Sequence, residues 1–206
     1  CSYEILEGLK KDNSNYKYTL EVVHLDPETK LFHDVHIKDD EIIFDIHRGY
    51  IQLLPLIHGI LDPTRDKSEI GELISSKKIL FSYIDLLEEL NTGYGLMSLS
   101  TKDEMFGTKE NYWRGPIWVN FNIMTLIELS KSNNEIYINK AETSDQIRIK
   151  NFVGELHYNV VDTVTSNFIK TGFLYEQYNS STGAGQRTRP FNGWSSLIVL
   201  LLADDY

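Results

Sequence analysis

The feature that most constrains this chain is the run from Ser144 to Ile169, where Ile147, Ile149, Phe152, Val153, Leu156, Val160, Val161, Val164 and Phe168 recur at largely helical spacing. Apolar residues three and four apart line one stripe of a helix, and a stripe of that length must be covered by other elements. Thr171-Gly172 closes the run, since glycine admits the left-handed conformation in which many helices end. Partners for this helix are legible elsewhere. Tyr50-Ile51, Leu53-Leu54, Leu56-Ile57 and Ile60-Leu61 form a second apolar helical face that ends at Asp62-Pro63, because proline cannot continue a helix. Ile70, Leu73 and Ile74 form a short third one, opened by Asp66 and Ser68 as cap residues. Ile117 to Leu129 is apolar almost throughout, with Pro116 in its first turn. Ser195 to Ala203 makes a final helix. Lys30 to Phe44 alternates loosely and reads as an extended hairpin.

The expected fold is therefore mainly α with minor β excursions. Long irregular segments carrying Gly, Trp and Tyr separate the helices, which fits an α/α toroid whose loops build a cleft at one end. A plain helical bundle would prefer short connections. With 206 residues, 41% of them hydrophobic and 24% charged, the chain is long enough for one sizeable core, and it contains no repeat or linker that would divide it. The formal charge of -10, with no cluster of Lys and Arg, argues against a nucleic-acid-binding surface. The single cysteine, Cys1, excludes an internal disulfide framework and a cysteine-based metal cluster. No stretch of about 18 uninterrupted apolar residues offers a membrane span. The chain opens at Cys1, without an initiator Met and inside the helical pattern Tyr3 to Leu9, so it is expected to be part of something longer.

Two islands differ from the rest in composition. The first runs from Asn111 to Asn122 as Asn-Tyr-Trp-Arg-Gly-Pro-Ile-Trp-Val-Asn-Phe-Asn. The second runs from Thr171 to Asn179 and continues through a Gly-rich loop to Arg189-Pro190-Phe191-Asn192-Gly193-Trp194-Ser195-Ser196. Each sets aromatic rings beside amides and an ionisable group, the mix a sugar pocket needs: flat faces for the pyranose, and donors and acceptors for its hydroxyls. Any of Trp113, Trp118 or Trp194 taken alone reads more readily as core, and Arg114 as a surface or structural ion-pair partner. Glu176, between Tyr175 and Tyr178, reads alone as either a functional carboxylate or a solvated strand-face one.

The runs Asn111 to Trp118, Gly172 to Tyr178, Thr182-Gly183-Ala184-Gly185 and Pro190 to Leu197 resemble glycoside hydrolase family 63, the family of the processing α-glucosidases. His47-Arg48-Gly49-Tyr50 and Gly93 to Ser100 also look like family segments, so the resemblance covers roughly residues 45 to 206 well. It implies the C-terminal portion of an (α/α)6 catalytic domain, with residues 1–206 one unit and the N-terminal part of the parent outside the chain. It implies removal of the terminal α-1,2-linked glucose from a glucosylated N-glycan precursor, with inversion, in the lumen of the endoplasmic reticulum by a protein anchored outside this segment. Glu176 maps onto the general base. The partner acid is an Asp that lies upstream of this chain in the family. Tyr112, Trp113, Arg114, Phe191 and Trp194 are carried over as substrate-pocket candidates, and Gly115, Pro116 and Gly193 as backbone-shaping residues.

An inverting glycosidase needs one protonated carboxyl and one ionised carboxylate, roughly 6.5–9.5 Å apart, so that a water fits between base and sugar. Glu176 supplies half of that pair. Asp103, Glu104 and Glu110 lie in a polar loop and match no catalytic position of the family. This chemistry requires no metal or other cofactor, and His33-Asp34-Val35-His36 reads as an alternation of exposed side chains rather than a ligand set. Asn179-Ser180-Ser181 is a formal glycosylation sequon, expected to be unused or turned outward because a glycan there would crowd the cleft. Two other readings remain open at this level: a carbohydrate-binding or degenerate protein without turnover, and an α-glucosidase acting on free oligosaccharides. The partners expected are a glucosylated oligosaccharide and the remainder of the parent domain.

Overall fold

A computed structural model describes residues 23–61, 76–132 and 143–203. A hairpin of β1 (Asp34–Lys38) and β2 (Glu41–Asp45) comes first. The helices α1 (Tyr50–Ile57), α2 (Lys77–Leu90), α3 (Val119–Ser132) and α4 (Thr143–Thr171) follow. A two-residue pair, β3 (Gln177–Tyr178) with β4 (Gly185–Gln186), a 3-10 turn at Trp194–Leu197 and α5 (Ile198–Leu202) complete the chain. The architecture is predominantly helical, as the apolar spacing predicts. The helical patterns at Tyr3 to Leu9 and Ile70 to Ile74 lie outside the described residues.

Helix α3 is the central element. It packs against α1, α4, α5 and the 3-10 turn, and Trp118 at its entry is fully buried, as are Leu53 and Leu56 of α1, Leu87 and Leu90 of α2 and Leu156 of α4. Each such side chain contributes about 1.5–3 kcal/mol relative to an exposed one, so the elements are held mainly by this shared apolar interior.

The boundaries differ from the sequence reading in instructive ways. Helix α1 stops at Ile57 rather than at Asp62-Pro63, because Gly59 takes φ +65. Its N–H donates to the Leu56 carbonyl (2.8 Å) while the Ile60 N–H donates to that of Pro55 (2.8 Å), the paired bonds of a Schellman termination. Helix α3 begins at Val119, not Ile117, because Ile117 spends its backbone groups on a neighbouring strand: its N–H donates to Tyr178 O (2.8 Å) and its carbonyl accepts from Tyr178 N–H (3.0 Å). The final helix opens with a 3-10 turn before α5. Helix α4 ends at Thr171 before Gly172, as read. Helix α2 falls where the sequence analysis places no element, although Ile79, Leu80, Tyr83, Ile84, Leu87 and Leu90 recur on its buried face. The hairpin turns at Asp39-Asp40, both at positive φ, which Asp tolerates better than most side chains. His33 is buried rather than exposed, at 2%; its Nε2 lies 3.2 Å from Thr29 Oγ1, and burial lowers its pKa. His36 pairs with Asp45 across the hairpin.

Two polar nodes fix how the loops meet the helices. In the first, Asn122 Oδ1 accepts from Leu96 N–H (2.6 Å), and its amide nitrogen donates to Trp118 O (2.8 Å) and Tyr50 Oη (3.1 Å). The Tyr50 hydroxyl in turn donates to Leu96 O (2.5 Å), and burial pushes its pKa up. In the second, Glu89 accepts from Arg48 Nε (3.1 Å), Ser100 Oγ (2.5 Å) and Lys102 Nζ (3.0 Å). Burial alone would raise the Glu89 carboxyl; these three donors outweigh it and hold the group at about 2.

Replacing Asn122 with Leu strands the Leu96 N–H in the core. That should cost about 3 kcal/mol, read as a large fall in thermal midpoint, whereas Asn151→Ala on an exposed turn of α4 should change the midpoint little. Glu89 has a depressed folded pKa, so its contribution is present above its unfolded value of 4.5 and is lost as pH falls toward about 2. The gap in thermal midpoint between wild type and Glu89→Gln should therefore be full at neutral pH and close as the solution is acidified through that window.

Candidate active site

The two aromatic islands meet because Ile117 bridges Met97 on one side and Tyr178 on the other. The bridge sets the register between the segment ending at Trp118 and the segment carrying Glu176. Close approach of backbone to ring fixes the second segment further: a Cβ on Gly185 would fall 2.2 Å from the Tyr175 ring, so only glycine lets β4 lie against it. Ser195 Oγ donates to Tyr175 O (2.5 Å) and Trp194 Nε1 to Glu176 O (2.8 Å), anchoring the same stretch from behind.

Glu176 is thereby presented with both carboxylate oxygens engaged. The Tyr112 hydroxyl donates to Oε1, and the Thr188 N–H donates to Oε2 at 3.3 Å. The backbone is pinned as well, Glu176 N–H donating to Thr188 O at 3.0 Å. The carboxyl borders an open cleft of about 570 Å³ lined by Glu110, Tyr112, Glu176, Arg187 and Thr188. The Tyr112 hydrogen bond, opposed by desolvation and helped by Thr188 and the Arg187 charge, holds the Glu176 pKa below its ordinary value. The same bond raises the phenol of Tyr112. At neutral pH the pair is therefore a carboxylate and a neutral phenol at the edge of the cleft, an arrangement that can accept a proton from a water there.

The structure brings some of the sequence candidates together and separates others. Tyr112 and Glu176 share the cleft. Trp194 touches Glu176 through its backbone, with Phe191 packed on it at a ring separation of 4.6 Å. Trp113 stacks on Trp118 at 3.7 Å and faces a different, largely apolar pocket of about 330 Å³, walled also by Tyr50, Gln52, Leu99 and Phe121. Arg114 turns to the loop before it, donating to Thr108 O (3.3 Å) and Oγ1 (3.2 Å). Asp103 is occupied with Arg48 N–H, Met105 N–H and His47, whereas Glu110 reaches the cleft. Asn179 Oδ1 accepts from Ser181 N–H (2.8 Å) and Thr182 N–H (3.0 Å), so the sequon asparagine helps shape its own turn.

Sequence reasoning passed over Arg187 and Thr188. Arg187 Nη2 lies 2.7 Å from Glu110 Oε1, and its guanidinium carbon is 5.4 Å from the Tyr112 ring centroid. The available signal was position: both follow the Gly-rich loop and precede Arg189-Pro190.

The chain is 38% identical over 188 residues to a probable mannosyl-oligosaccharide glucosidase of Schizosaccharomyces pombe, covering 91% of this chain and 22% of that protein. It is 31% identical over 187 residues to the mannosyl-oligosaccharide glucosidase of Saccharomyces cerevisiae, covering 89% of this chain and 21% of that one. It thus spans about a fifth of the length of these relatives. Among solved structures, the family 63 mannosylglycerate hydrolase of Thermus thermophilus in complex with Tris matches 98% of this chain and 39% of its own, with a TM-score of 0.60 at 22% identity, a likeness of fold. The sequence profile of the glycosyl hydrolase family 63 C-terminal domain matches residues 9–204, and the chain belongs to that family.

Proposed function

We propose that this chain is the C-terminal part of an (α/α)6 catalytic domain whose complete protein is an inverting α-glucosidase, with Glu176 as general base. The observation that carries the reading is the Glu176 carboxylate at the edge of an open cleft, fixed by Tyr112 on one oxygen and Thr188 on the other. A general base must be ionised, oriented and reachable by water, and Glu176 meets all three conditions. Its partner acid is an Asp contributed by the upstream part of the protein, beyond residues 1–206, across the space where the sugar sits. The base removes a proton from water as that water attacks the anomeric carbon, and the acid protonates the departing glycosidic oxygen. Protonated Glu176 then returns its proton to solvent through the open cleft.

The substrate proposed is the terminal α-1,2-linked glucose of a glucosylated N-glycan precursor, met in the lumen of the endoplasmic reticulum. The names of the fungal relatives support this reading, and their identity extends over most of the chain. Trp194 and Phe191 shape the floor behind Glu176, and Tyr112 holds the carboxylate. No metal or other cofactor enters the scheme.

The direct test is glucose release from an α-1,2-linked glucose disaccharide by the complete protein, with the anomer followed by proton NMR. Wild type should release β-glucose, and Glu176→Gln should lose about 10³-fold in turnover while still binding sugar. Release of α-glucose, or an active Glu176→Gln variant, would overturn the assignment; binding without release by wild type would favour a carbohydrate-binding protein. The pH profile provides a second check. Because Glu176 acts ionised and its folded pKa is depressed, activity should hold as pH falls to its ordinary value of 4.5 and be lost only below it. Tyr112→Phe removes the largest cause of the depression, so the acid limb of that variant should move upward.

A further inference from the structure

Arg187 is a non-glycine residue at φ +62, a backbone conformation that strains a side-chain-bearing residue. What holds it there is visible. Its guanidinium pairs with Glu110 at 2.7 Å and lies over the Tyr112 ring at 5.4 Å, and the next residue, Thr188, bonds Glu176 through both backbone groups. The Arg187–Glu110 pair is well exposed, so as an ion pair it contributes little stability. Its remaining consequence is geometric. The cation over the ring face and the carboxylate that pins it limit how Tyr112 can turn, and the Tyr112 hydroxyl is the donor on Glu176.

We propose that Arg187 is a positioning residue for the base: pinned by Glu110, its guanidinium holds the Tyr112 ring so that the hydroxyl stays on Glu176. The inference rests on the glycosidase reading for its meaning, but not for its measurement. The groups facing the Glu176 carboxyl are the Tyr112 phenol, the Arg187 guanidinium and, beyond it, the Glu110 carboxylate. Removing Arg187 acts on Glu176 in two ways, by freeing Tyr112 and by withdrawing a positive field. Only the first passes through the Tyr112 hydroxyl, so a Tyr112→Phe background separates them.

The complete protein should be compared as wild type, Arg187→Gly, Arg187→Lys, Tyr112→Phe and the Arg187→Gly/Tyr112→Phe double variant. Glycine accepts φ +62 without strain, so Arg187→Gly should keep its thermal midpoint, and any loss is not one of folding. The pH midpoint of carbodiimide labelling of Glu176, read by peptide mass spectrometry, follows protonation of this carboxyl whether or not the protein turns over sugar. Arg187→Gly should raise that midpoint and lower kcat about tenfold with KM within about twofold, Arg187→Lys should recover most of the loss, and the glycine change should add less than about twofold in the Tyr112→Phe background. Independent, multiplying effects of the two substitutions, or an unmoved labelling midpoint with a raised KM, would overturn the proposal; the latter would make Arg187 a direct sugar ligand. A wild type that releases no glucose would sink the glycosidase reading, and the labelling midpoints would still decide the role of Arg187.

Discussion

The two backbone hydrogen bonds between Ile117 and Tyr178 are the contact on which the rest of the site depends. They join segments far apart in sequence, and with the flanking Met97 bridge they form a narrow strip of extended chain that ties the residues before α3 to those after α4. The pair sets the residues before α3 against those after α4, and so brings the turn that carries Tyr112 to the same cleft as Glu176. A slip of one residue would turn the carboxylate away from its donor. The strip is too short to be stable alone; it persists because Trp118, Ile117 and Tyr178 are buried in the helical core on either side of it.

The same arrangement explains why the carboxylate is ionised despite its burial. Desolvation favours the neutral acid, but Glu176 receives one hydroxyl and one backbone N–H, and the open side of the cleft lets water reach it. A group poised in this way differs from Glu89, which is held charged by three donors that occupy it fully and leave it no chemistry. Depressed pKa values thus arise at both a structural node and a candidate catalytic one. The cleft that Glu176 borders and the cations that close on Glu89, not the direction of the shift, separate them.

Much of this was legible in the sequence. The stripe Ile149, Phe152, Val153, Leu156, Val160 and Val164 specifies α4 and is its buried face, whereas Ile147 and Phe168, read with it, are exposed; the loose alternation after Lys30 marks the hairpin. Helix α2 was equally legible from Ile79 to Leu90, with Ser76 at its N-cap, and was passed over. The ends of α1 and α3 were less accessible. They depend on Gly59 taking a left-handed turn and on Ile117 finding a partner far along the chain, and neither the turn nor the pairing is written in local propensity. At the site, Glu176 and Tyr112 stood out as part of aromatic islands. Trp113 and Arg114 shared the first island but face elsewhere, because residues 111–115 form turns and bends that send successive side chains in different directions. Arg187 and Glu110 come from loops whose composition is merely polar, and only the fold sets one against the other.

The distribution of strain follows from these roles. The hub of Tyr50, Leu96, Trp118 and Asn122 satisfies its buried polar atoms with short bonds, and the positive φ beside it falls on Gly95, which tolerates it; its interactions are shared by α1, α3 and the loop between, so it stabilises all of them. The cleft edge is built otherwise. Arg187 occupies a conformation that favours glycine, in a loop whose ion pair is solvent-exposed and adds little to stability. A fold under selection for stability alone would relax that position. Its presence beside a carboxylate with two ordered donors is the pattern expected where local geometry serves the site, and the helical core, anchored at α3, supplies the rigidity that lets the edge carry it.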